Sequence, residues 1–165
     1  MQILLFDVCG IACALRSTSV RELLPVPRLW CPPALPRPVA GFFNLGGAAV
    51  PVIRLDVLLR LRAEPTSSET NLYRHLIMLD GLSVSGPAAL LVDRVRDVAD
   101  IHGAQVSPVP PESSLNGCVE AEIDHQGQLL HLLSLERLLF AEEKLALDEL
   151  SSHARTRLGE WMVSA

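Results

Sequence analysis

The sequence predicts a mainly β chain built from two copies of one hairpin-bearing unit and closed by a C-terminal helix. Three observations carry that expectation. The run Gly41 to Leu59, GFFNLGGAAVPVIRLDVLL, holds two apolar stretches around Gly46-Gly47, and a Gly-Gly pair between such stretches is a hairpin signal because both residues can take positive φ. The pattern returns from Gly117 as GCVEAEIDHQGQLLHLLSLERLL, placing Arg54-Leu55-Asp56 over Ser134-Leu135-Glu136. From Ala141 the period changes, with Leu147, Leu150, Ala154, Leu158 and Trp161 recurring at three- and four-residue steps.

In chain order, Ile3 to Val8 and Ile11 to Leu15 flank Cys9-Gly10 as a first hairpin. Ser19-Val20-Arg21-Glu22 fits a capping box, predicting a short helix that Pro25 limits to about two turns. Six prolines between Pro25 and Pro38 predict an extended loop over the surface. The same composition suits a polyproline II ligand, but the segment joins two strands rather than hanging free. Pro51 in the returning run predicts an edge or bulged strand, and Asp56 a cap for the short helical turn after it.

The polar stretch from Arg62 to Asn71 is the seam between the copies. His75 to Asp80 and Ala88 to Val92 are strands, the second running on through Asp93 to Val98, and Ser107 to Ser114 is the counterpart of the first proline loop. Ala14-Leu15 and Val20 to Leu23 match Ala89-Leu90 and Val95 to Val98. Gly41 falls opposite Gly117 if the second hairpin loop, around Asp124 to Gly127, is the longer. Val119 to Ile123 alternates cleanly, one face to the core and one to water. Ser151-Ser152 is a candidate break in the final helix, which is expected to pack on the β body.

Length and composition narrow the function. At 165 residues one compact domain is expected, and 49% hydrophobic residues with only 4% aromatics imply an aliphatic core. A net charge of −5 without a basic run argues against a nucleic-acid surface. No apolar run approaches the roughly 18 residues that span a bilayer. The opening MQILLFDVCG lacks a positive leading segment, so a secretory signal is not expected and the four cysteines are read as reduced thiols, mostly core fillers.

Catalytic spacings are missing. Cys9 and Cys13 have no second pair to complete a zinc set. His125 and His131 flank the second hairpin in positions to face each other, although two ordinary strand histidines are the plainer reading. Gly81 to Gly86 resembles a nucleophile turn, but its spacing is wrong and no His and acid partners follow.

The motifs in order resemble the CheW-type chemotaxis coupling proteins. They are Val20-Arg21-Glu22-Leu23, the Pro32 to Pro38 loop, Gly41 to Gly47, Val50-Pro51-Val52-Ile53-Arg54-Leu55, Val92-Asp93-Arg94-Val95 and Leu132-Leu133-Ser134-Leu135-Glu136. The resemblance covers about residues 3 to 140. It implies two five-stranded SH3-like barrel subdomains around a shared apolar core, a coupling domain over 1–140 with its seam near 62–74, and a helical extension over 141–165. It also implies a cytoplasmic, non-catalytic scaffold with no cofactor and no metal. The implied partners are the regulatory domain of a CheA-type histidine kinase and the cytoplasmic tip of a methyl-accepting chemoreceptor, with no nucleic acid and no direct membrane insertion. Partner contacts are expected at Val20, Glu22, Asn44, Leu45, Gly46, Val92, Asp93 and Val95, with core positions the plainer reading of Val20, Leu45 and Val92.

Two positions depart from the family pattern. Gly46 stands where an arginine is usual, and Arg54 where an acid is usual. Arginine is a favoured interface anchor. Its loss supports a competing reading, a stand-alone SH3-like binding protein serving another partner, such as a surface-motility or second-messenger enzyme.

Overall fold

Alternating and continuous apolar runs fold into eleven strands in the described part of the chain. The computed structural model describes residues 1–61, 74–83, 86–110 and 117–161, so nearly all of the seam near 62–74, part of the Gly81 to Gly86 turn, part of the Ser107 to Ser114 loop and the end of the 141–165 extension lie outside it. The strands are β1 (Gln2–Val8), β2 (Ile11–Arg16), β3 (Val20–Pro25), β4 (Val39–Leu45), β5 (Ala48–Arg54), β6 (His75–Leu79), β7 (Ala88–Val92), β8 (Arg94–Asp100), β9 (Val106–Pro108), β10 (Val119–His125) and β11 (Gln128–Leu133). One-turn helices α1 (Leu55–Leu58) and α2 (Leu135–Leu138) follow β5 and β11, and α3 (Ala141–Trp161) ends the described chain.

Two sheets result, ordered β8-β1-β2-β11-β10-β9 and β3-β6-β7-β5-β4. The first has six strands where five were expected. The orders correspond position by position, with Trp30 bridging to Phe42 outside β4 where β9 lies outside β10. Each sheet takes strands from both sequence copies. The parallel pairings Leu132 to Ala14 and Val52 to Ala89 join the closing hairpin of one copy to the opening hairpin of the other. The strand order is therefore repeated from sheet to sheet, but the halves of the chain and the two sheets do not coincide.

Burial explains the apolar runs. In β1, Leu4, Phe6 and Val8 enter the core shared by both sheets, while Ile3 and Leu5 enter a cluster private to the first sheet. In β6, Ile77 and Leu79 enter the shared core, and Leu76 and Met78 a cluster private to the second sheet. A strand covered on both faces has no polar alternation to show. By contrast, β10 buries Val119, Ala121 and Ile123 and leaves Glu120 and Glu122 half-exposed.

Several local expectations change. Val20 to Leu24 is strand, not helix, and Ser19 ends a 3-10 turn at Ser17–Ser19. A two-turn helix is too short to recover its nucleation cost, whereas the extended segment pairs along β6 from Val20–Leu79 to Pro25–His75. The strand expected to run on past Val92 breaks at Asp93, because β7 pairs with β6 and β8 with β1. Asp56 does not cap α1; it lies in the first turn and pairs with Arg54 at 3.0 Å. The second hairpin is not longer than the first. Gln126-Gly127 and Gly46-Gly47 are equivalent two-residue turns with positive φ throughout, so Gly41 corresponds to Ala121, not Gly117.

Strand β5 lies inside its sheet despite Pro51. Trp30 takes both backbone groups of Phe42, at 2.7 and 2.9 Å, which makes Phe42–Pro51 a non-hydrogen-bonded pair. The proline nitrogen then faces β7, whose ladder with β5 begins only at Val52. No ladder bond is lost.

Helix α3 runs unbroken through Ser151-Ser152, since the Ser151 hydroxyl donates to the Leu147 carbonyl at 2.8 Å within the helix. Leu147 and Ala154 enter the shared core, with Leu150 and Leu158 packed against it. Trp161, at the end of the expected stripe, is 83% exposed.

Candidate docking surfaces

The β4–β5 tip is held by its own asparagine. The Asn44 Oδ1 accepts the Gly47 N–H at 2.8 Å, closing the turn and leaving Leu45 exposed beside it. Gly46 has φ of +60°, and nothing lies within 4 Å of the place its Cβ would occupy. The arginine usual in the resembling family would therefore meet open space here. Gln126 keeps φ of +52° at the equivalent turn position.

The other expected contact residues lie elsewhere. Val20 and Glu22 sit on β3, at the opposite edge of the same sheet from β4; Val20 packs half-buried against the shared core and Glu22 is exposed. Val92 is fully buried in the core, so its side chain offers no surface. Asp93 fastens the first hairpin: its carboxylate accepts the Cys9 N–H at 2.7 Å and its N–H donates to the Asp7 carbonyl at 3.0 Å. Val95 is half-buried opposite Phe6. Three separate patches emerge rather than one site.

A fourth patch has no counterpart in the sequence reasoning. The proline loop is drawn onto β4 by the Trp30–Phe42 bridge, the two rings 6.0 Å apart between centroids. Gly41 permits this approach. A Cβ there would lie 2.8 Å from the Trp30 carbonyl oxygen, and φ of +154° disfavours any side chain. The C-terminal end of α3 closes the other side with Arg157, Leu158 and Trp161, leaving a groove of about 570 Å³ floored by Phe42, Phe43 and Ala49. The only local signals were Trp30 among the prolines and Trp161 at the end of the helical stripe.

The polar rows of the sheet are unsuited to nucleophilic chemistry. Cys13, His131 and Glu122 stand side by side across β2, β11 and β10. Cys13 is fully buried, and burial, with Asp7 and Cys9 adding to it, pushes its thiol up to about 12. A thiol that stays protonated is not a nucleophile. Burial likewise raises Cys118, with Glu143 adding and Arg137 opposing. His125 lies opposite Gln128 and His131 opposite Glu122, so the two histidines do not face each other. None of the four cysteines is in a disulfide, and Cys31 is exposed rather than core. Among the described residues no group of three or more potential ligands could hold a metal ion.

The CheW-like domain model matches residues 2–143. Two relatives, each described as a chemotaxis protein CheW, align with the chain. The one from Rhizobium meliloti is 29% identical over 135 residues, 78% of this chain and 80% of the relative. The one from Helicobacter pylori is 30% identical over 108 residues, 65% of this chain and 62% of the relative. Among solved structures, the scaffolding protein TtCheW from Thermoanaerobacter tengcongensis superposes with a TM-score of 0.74, covering 87% of this chain and 90% of its own at 22% identity. At that identity the likeness is one of fold.

Proposed function

Because the chain belongs to the CheW-like domain family, we propose that it is a non-catalytic cytoplasmic adaptor that couples chemoreceptors to a CheA-type histidine kinase. The observation that carries this reading is the family match over residues 2–143, which takes in both sheets and both short helices. No described helix is long and apolar enough to cross a membrane.

Coupling requires two partners to be held at once. In this reading Asn44, Leu45 and Gly46 at the β4–β5 tip form one docking patch, and Val20 and Glu22 on β3 form another. Strands β3 and β4 are the two edges of one five-stranded sheet, separated by four strand spacings, or roughly 19 Å. A partner at one edge leaves the other free. Asp93 and Val95 serve by bracing the corner between β7 and β8, and Val92 by packing beneath it. Signalling then follows from which contacts each receptor state permits.

The test is a calorimetric titration of the chain into the isolated regulatory domain of the CheA-type kinase from the same genome, with Gly46→Arg in parallel. Micromolar binding by the native chain is expected. Binding by the arginine variant alone would favour the second reading, a binding protein for a different partner, which rests on Gly46. Binding by neither would sink kinase coupling.

A further inference from the structure

The chain has two tryptophans, and both line the groove between the proline loop and the end of α3. Trp30 is 40% exposed and Trp161 83%, so two of the largest apolar side chains stand in water beside one cavity. Arg28 and Arg157 line the same groove. Among the described residues neither arginine forms an ion pair or a side-chain hydrogen bond. On a chain of net charge −5 this is a local positive rim around an apolar floor. Arg157 also lines two adjoining cavities that continue along α3.

We propose that this groove is a docking site for a partner's peptide segment that carries bulky apolar side chains flanked by carboxylates. An apolar side chain would seat between the two indoles over Phe42, and carboxylates would meet the guanidinium groups, whose planar fork matches a carboxylate in two-bond geometry. Exposed tryptophan and arginine around one pocket are the residue types that dominate binding energy at protein interfaces. Of the residues assigned to the coupling reading only Asn44 lines this groove, and the proposal does not depend on that reading.

The two tryptophans make the groove report on itself, since all indole emission arises there. The full chain is titrated with acetyl-Asp-Glu-Leu-Phe-Glu-Asp-Leu-Leu-amide, with the same peptide carrying lysine in place of its acids, and with one carrying serine in place of its apolar residues. The acidic apolar peptide is expected to change tryptophan emission saturably, less so as salt is raised, while the other two do not. The double variant Arg28→Glu with Arg157→Glu is expected to weaken it by at least about tenfold and to accept the lysine peptide instead. If circular dichroism shows the double variant unfolded, Arg157→Glu alone, on the exposed face of α3, replaces it. No response to the acidic apolar peptide, or an equal response to the lysine peptide, would overturn the proposal. So would emission that changes on dilution of the chain alone, which would mean that a second copy fills the groove. Kinase binding and peptide binding are read separately, so either reading can fail without the other.

Discussion

Gly41 and Gly46 lie on the same hairpin yet face opposite constraints. At Gly41 an added methyl meets the Trp30 backbone, while at Gly46 it meets nothing. Gly41→Ala should therefore cost about 2 kcal/mol of stability, and Gly46→Ala about 1 kcal/mol, from φ alone. Urea denaturation of the two variants side by side checks the order. Cys13 gives a pH signature. Its folded thiol is raised from 9.0 to about 12, so its contribution is complete below pH 9 and is lost as pH rises toward 12. In that window the unfolded chain has released a proton that the native chain keeps, giving a slope of about 1.4 kcal/mol per pH unit. Melting temperatures from pH 8 to pH 11 should fall less steeply in Cys13→Ala than in the native chain. At this scale the turn glycines were legible because positive φ is a local demand. The packing duty of Gly41 was not, since it depends on a loop approaching from outside the hairpin.

The strands β3 and β8 carry matching irregularities. Pairing skips Arg21 between Val20 and Glu22, and skips Arg96 between Val95 and Asp97. Each bulged arginine reaches the acid at the end of the other copy's first strand: Arg96 to Asp7 at 2.8 Å, and Arg21 to Asp80 at 3.6 Å. Arg96 also donates to Gln128 at 2.8 Å, whereas the Arg21 pair is more exposed. Arg96→Ala should cost about 1 kcal/mol and Arg21→Ala less than about 0.5 kcal/mol, measured by thermal denaturation. In α3, Leu147→Ala should cost about 3 kcal/mol, because the side chain fills the shared core. The alternation in β10 and the stripe of α3 were visible in the sequence as periodicity. The capping-box signature at Ser19 was misleading, because a local helix signal two turns long yields to the ladder that β6 offers.

Across the whole molecule the opening hairpins are exchanged. β1 and β2 belong to the first copy but pair with β8 and β11 of the second, and β6 and β7 pair with β3 and β5 of the first. Neither half can complete a sheet alone. A fragment of residues 1–61 should show no cooperative unfolding transition by circular dichroism, whereas the full chain should unfold in a single step by circular dichroism and tryptophan emission alike. By itself the sequence determined most of the strands, the turns at Cys9-Gly10 and Gly46-Gly47 and the family, because each rests on residues near one another or on a motif order that survives without coordinates. Only the tertiary structure decided which hairpin meets which, that Pro51 sits harmlessly in an inner strand, and that Trp30 and Trp161 share one groove. Those outcomes come from contacts between distant segments, and short-range periodicity carries no information about how such segments pair.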